Sequence, residues 1–245
     1  MALVEHPGGN YWFLPGIAPY SCGVVASEGH EIVSVTLHEP VPYRAGFQRI
    51  REHLAREGRP LTALCSISLR SPRPFSFEGF AAFNAEYAEI LASWQVFVDG
   101  LNPIARTNIV PVLAAPAEPS LYGFGYTRPA PRIRRRTFIV AGAGELPEGA
   151  LSHDAIVALG DTSELGLATK AKFVVDLMSR RLAGLGCTWP EVRTANVYTV
   201  HNVARVVPEI VLPALGPAAV HGVRWHFSRP PVEAIEFEMD LIGSS

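Results

Sequence analysis

The chain has 245 residues, enough for one large domain or two small ones, and 48% hydrophobic against 18% charged residues gives a globular rather than a disordered profile. A formal net charge of -2 leaves no global basic field for phosphate backbones or anionic lipid, so neither nucleic acid nor a membrane surface is an expected partner. Cys22, Cys65 and Cys187 make an odd set without a CxxC pair, which argues against a disulfide scaffold or a zinc site and suits a reducing compartment.

Near the N-terminus, Glu5, His6 and Pro7-Gly8-Gly9 lack the basic-then-apolar order of a signal peptide, and no apolar run approaches bilayer length. The expectation is a cytoplasmic protein. Phe47, Ile50 and Leu54 recur at helical spacing and run up to Gly58, a helix stop. A strand follows, alternating Leu64, Ser66, Ser68 against Cys65, Ile67, Leu69. From Ser76 to about Leu91 a second helix presents Phe80, Phe83, Tyr87, Ile90 and Leu91 on one face, and two more strands close this half.

The stretch Thr127-Arg128-Pro129-Ala130-Pro131-Arg132, continuing through Ile133 and Arg134 to Arg136, reads as a stiff, solvated connector. Its arginines also suit a nucleic-acid patch, but the neutral charge of the whole favours the connector. The chain then divides into 1-128, a linker 129-136, and 137-245.

In the second half Val175, Met178 and Leu182 again precede a glycine, Gly186, and a strand follows from Val192 to Val197. Laid without a gap, the stretch from Leu54 falls on the stretch from Leu182, pairing Gly58 with Gly186, Leu61 with Trp189, Leu64 with Val192 and Leu69 with Val197. Near the end, Glu236, Glu238 and Asp240 alternate with Ile235, Phe237, Met239 and Leu241, so a closing strand with one acidic face is expected.

Other motifs carry little. Gly142-x-Gly144 lacks a third glycine and an opening helix, so it is a poor phosphate loop. His221 and His226, five apart on an expected strand, face opposite ways and cannot share a metal. Ser152-His153-Asp154 holds triad residue types as immediate neighbours, whereas triads assemble from separated elements. No metal site and no cofactor are expected.

Four segments of the first half resemble the RidA/YjgF reactive-intermediate deaminase family: Ile17-Ala18-Pro19-Tyr20-Ser21-Cys22-Gly23-Val24, Gly46 to Leu69, Phe83-Asn84-Ala85-Glu86-Tyr87, and Pro103-Ile104-Ala105-Arg106-Thr107. In the second half, Phe138 to Pro147 and Ala234 to Leu241 resemble the family's later strands. The resemblance implies an α+β sandwich, two tandem domains of the chorismate mutase-like type, each a mixed sheet with two helices on one face. Chorismatases are distantly similar in architecture.

It also implies a homotrimer with pockets between neighbours, where an arginine clamps the carboxylate of an imine or enamine. Water adds, ammonia leaves, and a last-strand glutamate assists. Carried over, the first half keeps Tyr20, Asn84 and Arg106 but has Gly123 at the acid's position. In the second half Glu236 matches the acid, and His221 falls near the arginine's position. Asn108 and Gly144 join Asn84 and His221 as substrate-binding candidates. The expected function is hydrolytic deamination of a small carboxylate, aminomuconate-like or 2-aminoacrylate-like, in an interface pocket holding Arg106. The alternatives are a chorismatase-like enzyme and a non-catalytic metabolite-binding protein. Each residue also has a plainer role: Arg106 in a surface ion pair, Tyr20 as a packed aromatic, Asn84 in a structural hydrogen bond.

Overall fold

Residues 2-132, 135-150 and 152-243 are described by the computed structural model. Ile133 and Arg134 of the expected linker fall outside them.

The first half opens with three short strands, β1 (Val4–His6), β2 (Tyr11–Leu14) and β3 (Gly23–Ala26). There follow β4 (His30–Pro42), α1 (Tyr43–Arg56), β5 (Leu64–Arg70), α2 (Phe77–Ser93), β6 (Ala105–Pro111) and β7 (Ser120–Pro129). The second half runs β8 (Phe138–Gly144), α3 (Glu164–Gly184), β9 (Thr194–Thr199), a π turn (Val207–Val211) into the short α4 (Leu212–Leu215), β10 (Arg224–Arg229) and β11 (Glu238–Ile242). Among the described residues no helix is long and apolar enough to cross a membrane.

Both long helices after the turns start on a serine cap. Ser76 Oγ accepts the Gly79 N–H before α2, and Ser163 Oγ accepts the Gly166 N–H before α3, with Glu78 and Glu164 in the first turns. The buried stripe of α2 is Phe80, Phe83, Asn84, Tyr87 and Leu91, which brings an asparagine into an otherwise apolar face.

The strands form one mixed sheet in the order β1-β2-β3-β8-β11-β9-β10-β6-β5-β7-β4. Within it the neighbours β4-β7-β5-β6 are repeated as β8-β11-β9-β10, with β5 parallel to β6 and β9 parallel to β10. Local geometry repeats as well. Gly58 and Gly186 both take positive φ, +63° and +67°, and each is followed by a 3-10 turn, Leu61–Ala63 and Trp189–Glu191.

The halves are not separate in space. β3 pairs with β8, β10 pairs with β6, and Ser21 bridges Ala105, which curls the sheet. Each half has its own core under its helices. A third cluster of Tyr11, Phe13, Val24, Ile32, Cys65, Ala105, Ile139 and Ala141 stitches them together.

Two local readings are corrected by the structure. Residues up to His221 form a 3-10 helix (Gly216–His221) bounded by Gly216 and Gly222 at positive φ, and β10 starts only at Arg224. His221 is therefore not on a strand; it is exposed and meets Arg193. The closing strand begins at Glu238, not at Ala234, which has φ +66°. Its delayed start has a cause: the buried Glu145 carboxylate accepts the backbone N–H groups of Glu236 and Phe237 at 2.7 and 2.9 Å, removing them from any sheet ladder.

Glu145 is also paired with Lys170 Nζ at 3.1 Å, and both side chains are fully buried. Taking away one partner leaves the other charge without compensation. Lys170→Met is expected to cost about 3–5 kcal/mol by chemical denaturation.

Candidate active site

A cavity of about 230 Å³ opens where the halves meet, its walls supplied by β6, β8 and the loop after it, α3, β11 and the segment around Tyr20. Most of its lining is apolar, with Phe80, Leu146, Val232 and Ile235 prominent, and a few polar groups converge on it.

Arg106, the second residue of β6, is 3% exposed. Its guanidinium lies 4.4 Å from the ring centroid of Tyr20, 4.8 Å from Tyr87, 5.4 Å from Phe80 and 5.8 Å from Phe83. Aromatic faces stabilise a desolvated cation. Tyr20 also hydrogen-bonds to the guanidinium, but not all its donors are satisfied: Nη1 is buried with no hydrogen-bond partner, and no carboxylate pairs with Arg106 among the described residues. Burial lowers its pKa, with Tyr20, Tyr87 and Glu238 opposing, but an arginine stays charged. A buried, caged cation with unused donors beside a cavity is a receptor for an anion.

Asn108, two residues along the same strand, also lines the cavity. Its Oδ1 accepts the Ser71 hydroxyl at 3.0 Å, while Nδ2 is buried without a partner. Asn84 is buried on α2 with Oδ1 unpaired, and it does not line the cavity. Tyr20 and Gly144 do line it; His221 does not.

Glu236 lies outside the lining, where its carboxylate meets His201 Nε2 at 2.8 Å and Arg229 Nη1 at 3.3 Å. The carboxyl group in the cavity belongs to Glu238, the first residue of β11, 4% exposed. Burial holds its pKa well above the usual carboxylate range. Asp240 and Glu145 push the same way, against Arg106 and Arg181. Glu238 is therefore a neutral acid across a pH range in which ordinary glutamates are ionised.

Its position is set by a glycine. A side chain at Gly142 on β8 would overlap Glu238 Oε1, so the strand must be bare there. The Gly142 N–H is fixed by Thr107 Oγ1 at 3.1 Å, and that hydroxyl donates to Asp240 Oδ2 at 2.8 Å. Asp240 also accepts from Asn196 at 2.6 Å and Tyr198 at 2.9 Å. Gly142 has no positive φ, so Gly142→Ala should leave the fold standing while displacing the Glu238 carboxyl. The expected readout is a lower kcat with a thermal midpoint within a few degrees of wild type.

The other wall carries Arg181 from α3 and Glu148 from the loop after β8. Arg181 Nε donates to Glu148 Oε1 at 2.8 Å, and Nη1 donates to the Ala141 carbonyl at 2.9 Å. Cys22 Sγ donates to the same Glu148 oxygen at 3.2 Å. Burial raises the Glu148 pKa, but Arg181, the Cys22 thiol and Arg180 together more than offset this and leave it below its ordinary value. Burial pushes the Cys22 thiol up to about 11, so no thiolate nucleophile is prepared there.

Arg181 and Glu148 are not among the sequence candidates, and Glu238 figures there only as one of three acids on the face of the closing strand. Arg181 had a signal: it falls on the buried stripe of α3 that includes Val174, Leu177, Met178 and Leu182, where a charge needs a reason. No group of three or more His, Cys, Asp or Glu that could hold a metal occurs among the described residues.

A 2-amino-5-chloromuconate deaminase of Comamonas testosteroni is 40% identical to this chain over 246 residues, covering 99% of this chain and 96% of that protein. Among solved structures, a chorismatase shares the fold with a TM-score of 0.50 at 12% identity, covering 91% of this chain and 77% of that one. A cyanuric acid hydrolase aligns with a TM-score of 0.41 at 12% identity, covering 89% of this chain and 68% of that one. With residues 3–244 matching the family profile, the chain belongs to the family described as 2-aminomuconate deaminase CnbZ.

Proposed function

We propose that this protein is a deaminase that hydrolyses the C–N bond of a small unsaturated amino carboxylate of the aminomuconate type. The observation that carries the reading is the buried guanidinium of Arg106, with no carboxylate partner, facing the same cavity as the buried carboxyl group of Glu238. Kinship with aminomuconate deaminases supplies the class of substrate.

Arg106 takes the carboxylate next to the amine-bearing carbon through its free donors, and Asn108 Nδ2 offers another. This fixes the plane of the conjugated enamine against the aromatic cage. Glu238 then gives its proton to the enamine carbon chain, and the C–N single bond becomes an imine. The carboxylate left on Glu238 takes a proton from water as its oxygen bonds to the imine carbon. Return of that proton to nitrogen lets the C–N bond break, and as the carbonyl forms its hydroxyl proton passes to Glu238, releasing ammonia and a 2-oxo acid. Atoms balance as enamine plus water giving ketone plus ammonia, and Glu238 ends protonated.

We also read the repeated strand order as two fused copies of a RidA/YjgF-like unit, divided at 129-136, and a homotrimer as the assembly; light scattering on the purified protein tests the latter. The activity is tested by incubating the protein with 2-aminomuconate and measuring ammonia. One ammonia per substrate consumed is expected, and none released would overturn the assignment.

A further inference from the structure

We infer that Arg181 is a second carboxylate anchor, so that the cavity selects short dicarboxylates over monocarboxylates of the same length. This deepens the deaminase reading and rests on it for the orientation of the substrate.

Two cationic side chains line the cavity, Arg106 from β6 of the first half and Arg181 from α3 of the second. Each is over nine-tenths buried. A guanidinium has five N–H donors in a rigid fork. In Arg181, Nε is used by Glu148 and Nη1 by the Ala141 and Gly142 carbonyls at 2.9 and 3.5 Å. Nη2 has no oxygen acceptor among the described residues. The Cys22 thiol also hydrogen-bonds to Arg181, and the side chain lines the cavity.

Glu148 does not cancel this site. It meets Arg181 through one oxygen only, and its side chain is 32% exposed against 7% for Arg181. Water screens the carboxylate more than the cation. The role left to Glu148 is to hold the guanidinium plane in place, which makes it a positioning residue.

Both anchors hang from one short segment: Arg106 stacks on Tyr20, and the Arg181–Glu148 pair is tied to Cys22 through its thiol. They face one cavity of about 230 Å³, which limits a ligand that reaches both to a small diacid. The amine-bearing end belongs at Arg106 beside Glu238, and the far carboxylate at Arg181.

The test compares binding of two unreactive six-carbon dienes, muconate with two carboxylates and sorbate with one, by calorimetry at one pH and salt concentration. Wild type is expected to bind muconate roughly 10- to 100-fold more tightly, the range for a hydrogen bond to a charged group. Arg181→Met is expected to bring muconate down to the affinity of sorbate while leaving sorbate unchanged, and Arg181→Lys to fall between. Retained sorbate binding reports that the variant is folded. Equal affinities in wild type, or an undiminished preference in Arg181→Met, would overturn the anchor. Neither outcome depends on ammonia release, so failure here is distinct from failure of the deaminase assignment.

Discussion

Arg106→Met is expected to reduce kcat/KM by about 10³-fold or more, because the carboxylate that orients the substrate loses its partner in a desolvated site. The same change should not weaken the fold. Arg106 is a buried cation without an ion pair, and an apolar side chain of similar length removes an uncompensated charge from among Tyr20, Phe80, Phe83 and Tyr87. The thermal midpoint should stay level or rise. A residue kept at a cost to stability is the signature of a functional site, whereas a structural arginine would show the opposite pattern, a lower midpoint with activity retained.

Glu238→Gln is expected to lower kcat by roughly 10²- to 10⁴-fold with little change in KM, since the amide keeps the shape but cannot pass a proton. The pH behaviour separates this role from a packing role. Burial raises the carboxyl pKa in the folded protein well above the ordinary glutamate value of 4.5. Above that value the unfolded chain loses a proton that the native state keeps, so wild-type stability falls as pH rises until the folded-state pKa is passed. Glu238→Gln lacks this slope. Denaturation of the two proteins at a series of pH values should show the variant gaining on wild type as pH rises from about 4.5, with no gain below it. Wild-type activity should fall on the alkaline side as Glu238 loses its proton.

Much of the framework was legible in local pattern. The helix stops at Gly58 and Gly186 and the strands β5 and β9 follow from periodicity and glycine chemistry, and the gapless overlay of the halves aligns them. Arg106 and Tyr20 reached the candidate list through motif resemblance, Asn108 stood beside them as a substrate-binding candidate, and all three line the cavity, whereas the motif's Asn84 does not. The acid at the site was not legible. Where β11 starts depends on Glu145 capturing two backbone N–H groups 91 and 92 residues away, and alternation alone cannot register that contact. Glu236 and Glu238 have the same parity on paper; only one turns into the cavity. Nor could pattern show that β3, early in the chain, pairs with β8 and brings Cys22 against Glu148. Such non-local pairings are set by tertiary packing.

The central claim is that Arg106 remains unpaired in order to receive a substrate carboxylate. Calorimetric titration of muconate into wild type and into Arg106→Met tests it most directly. Saturable binding to wild type is expected, with binding weakened at least about 10- to 100-fold in a variant that is folded and no less stable. Equal binding by the two proteins would contradict it.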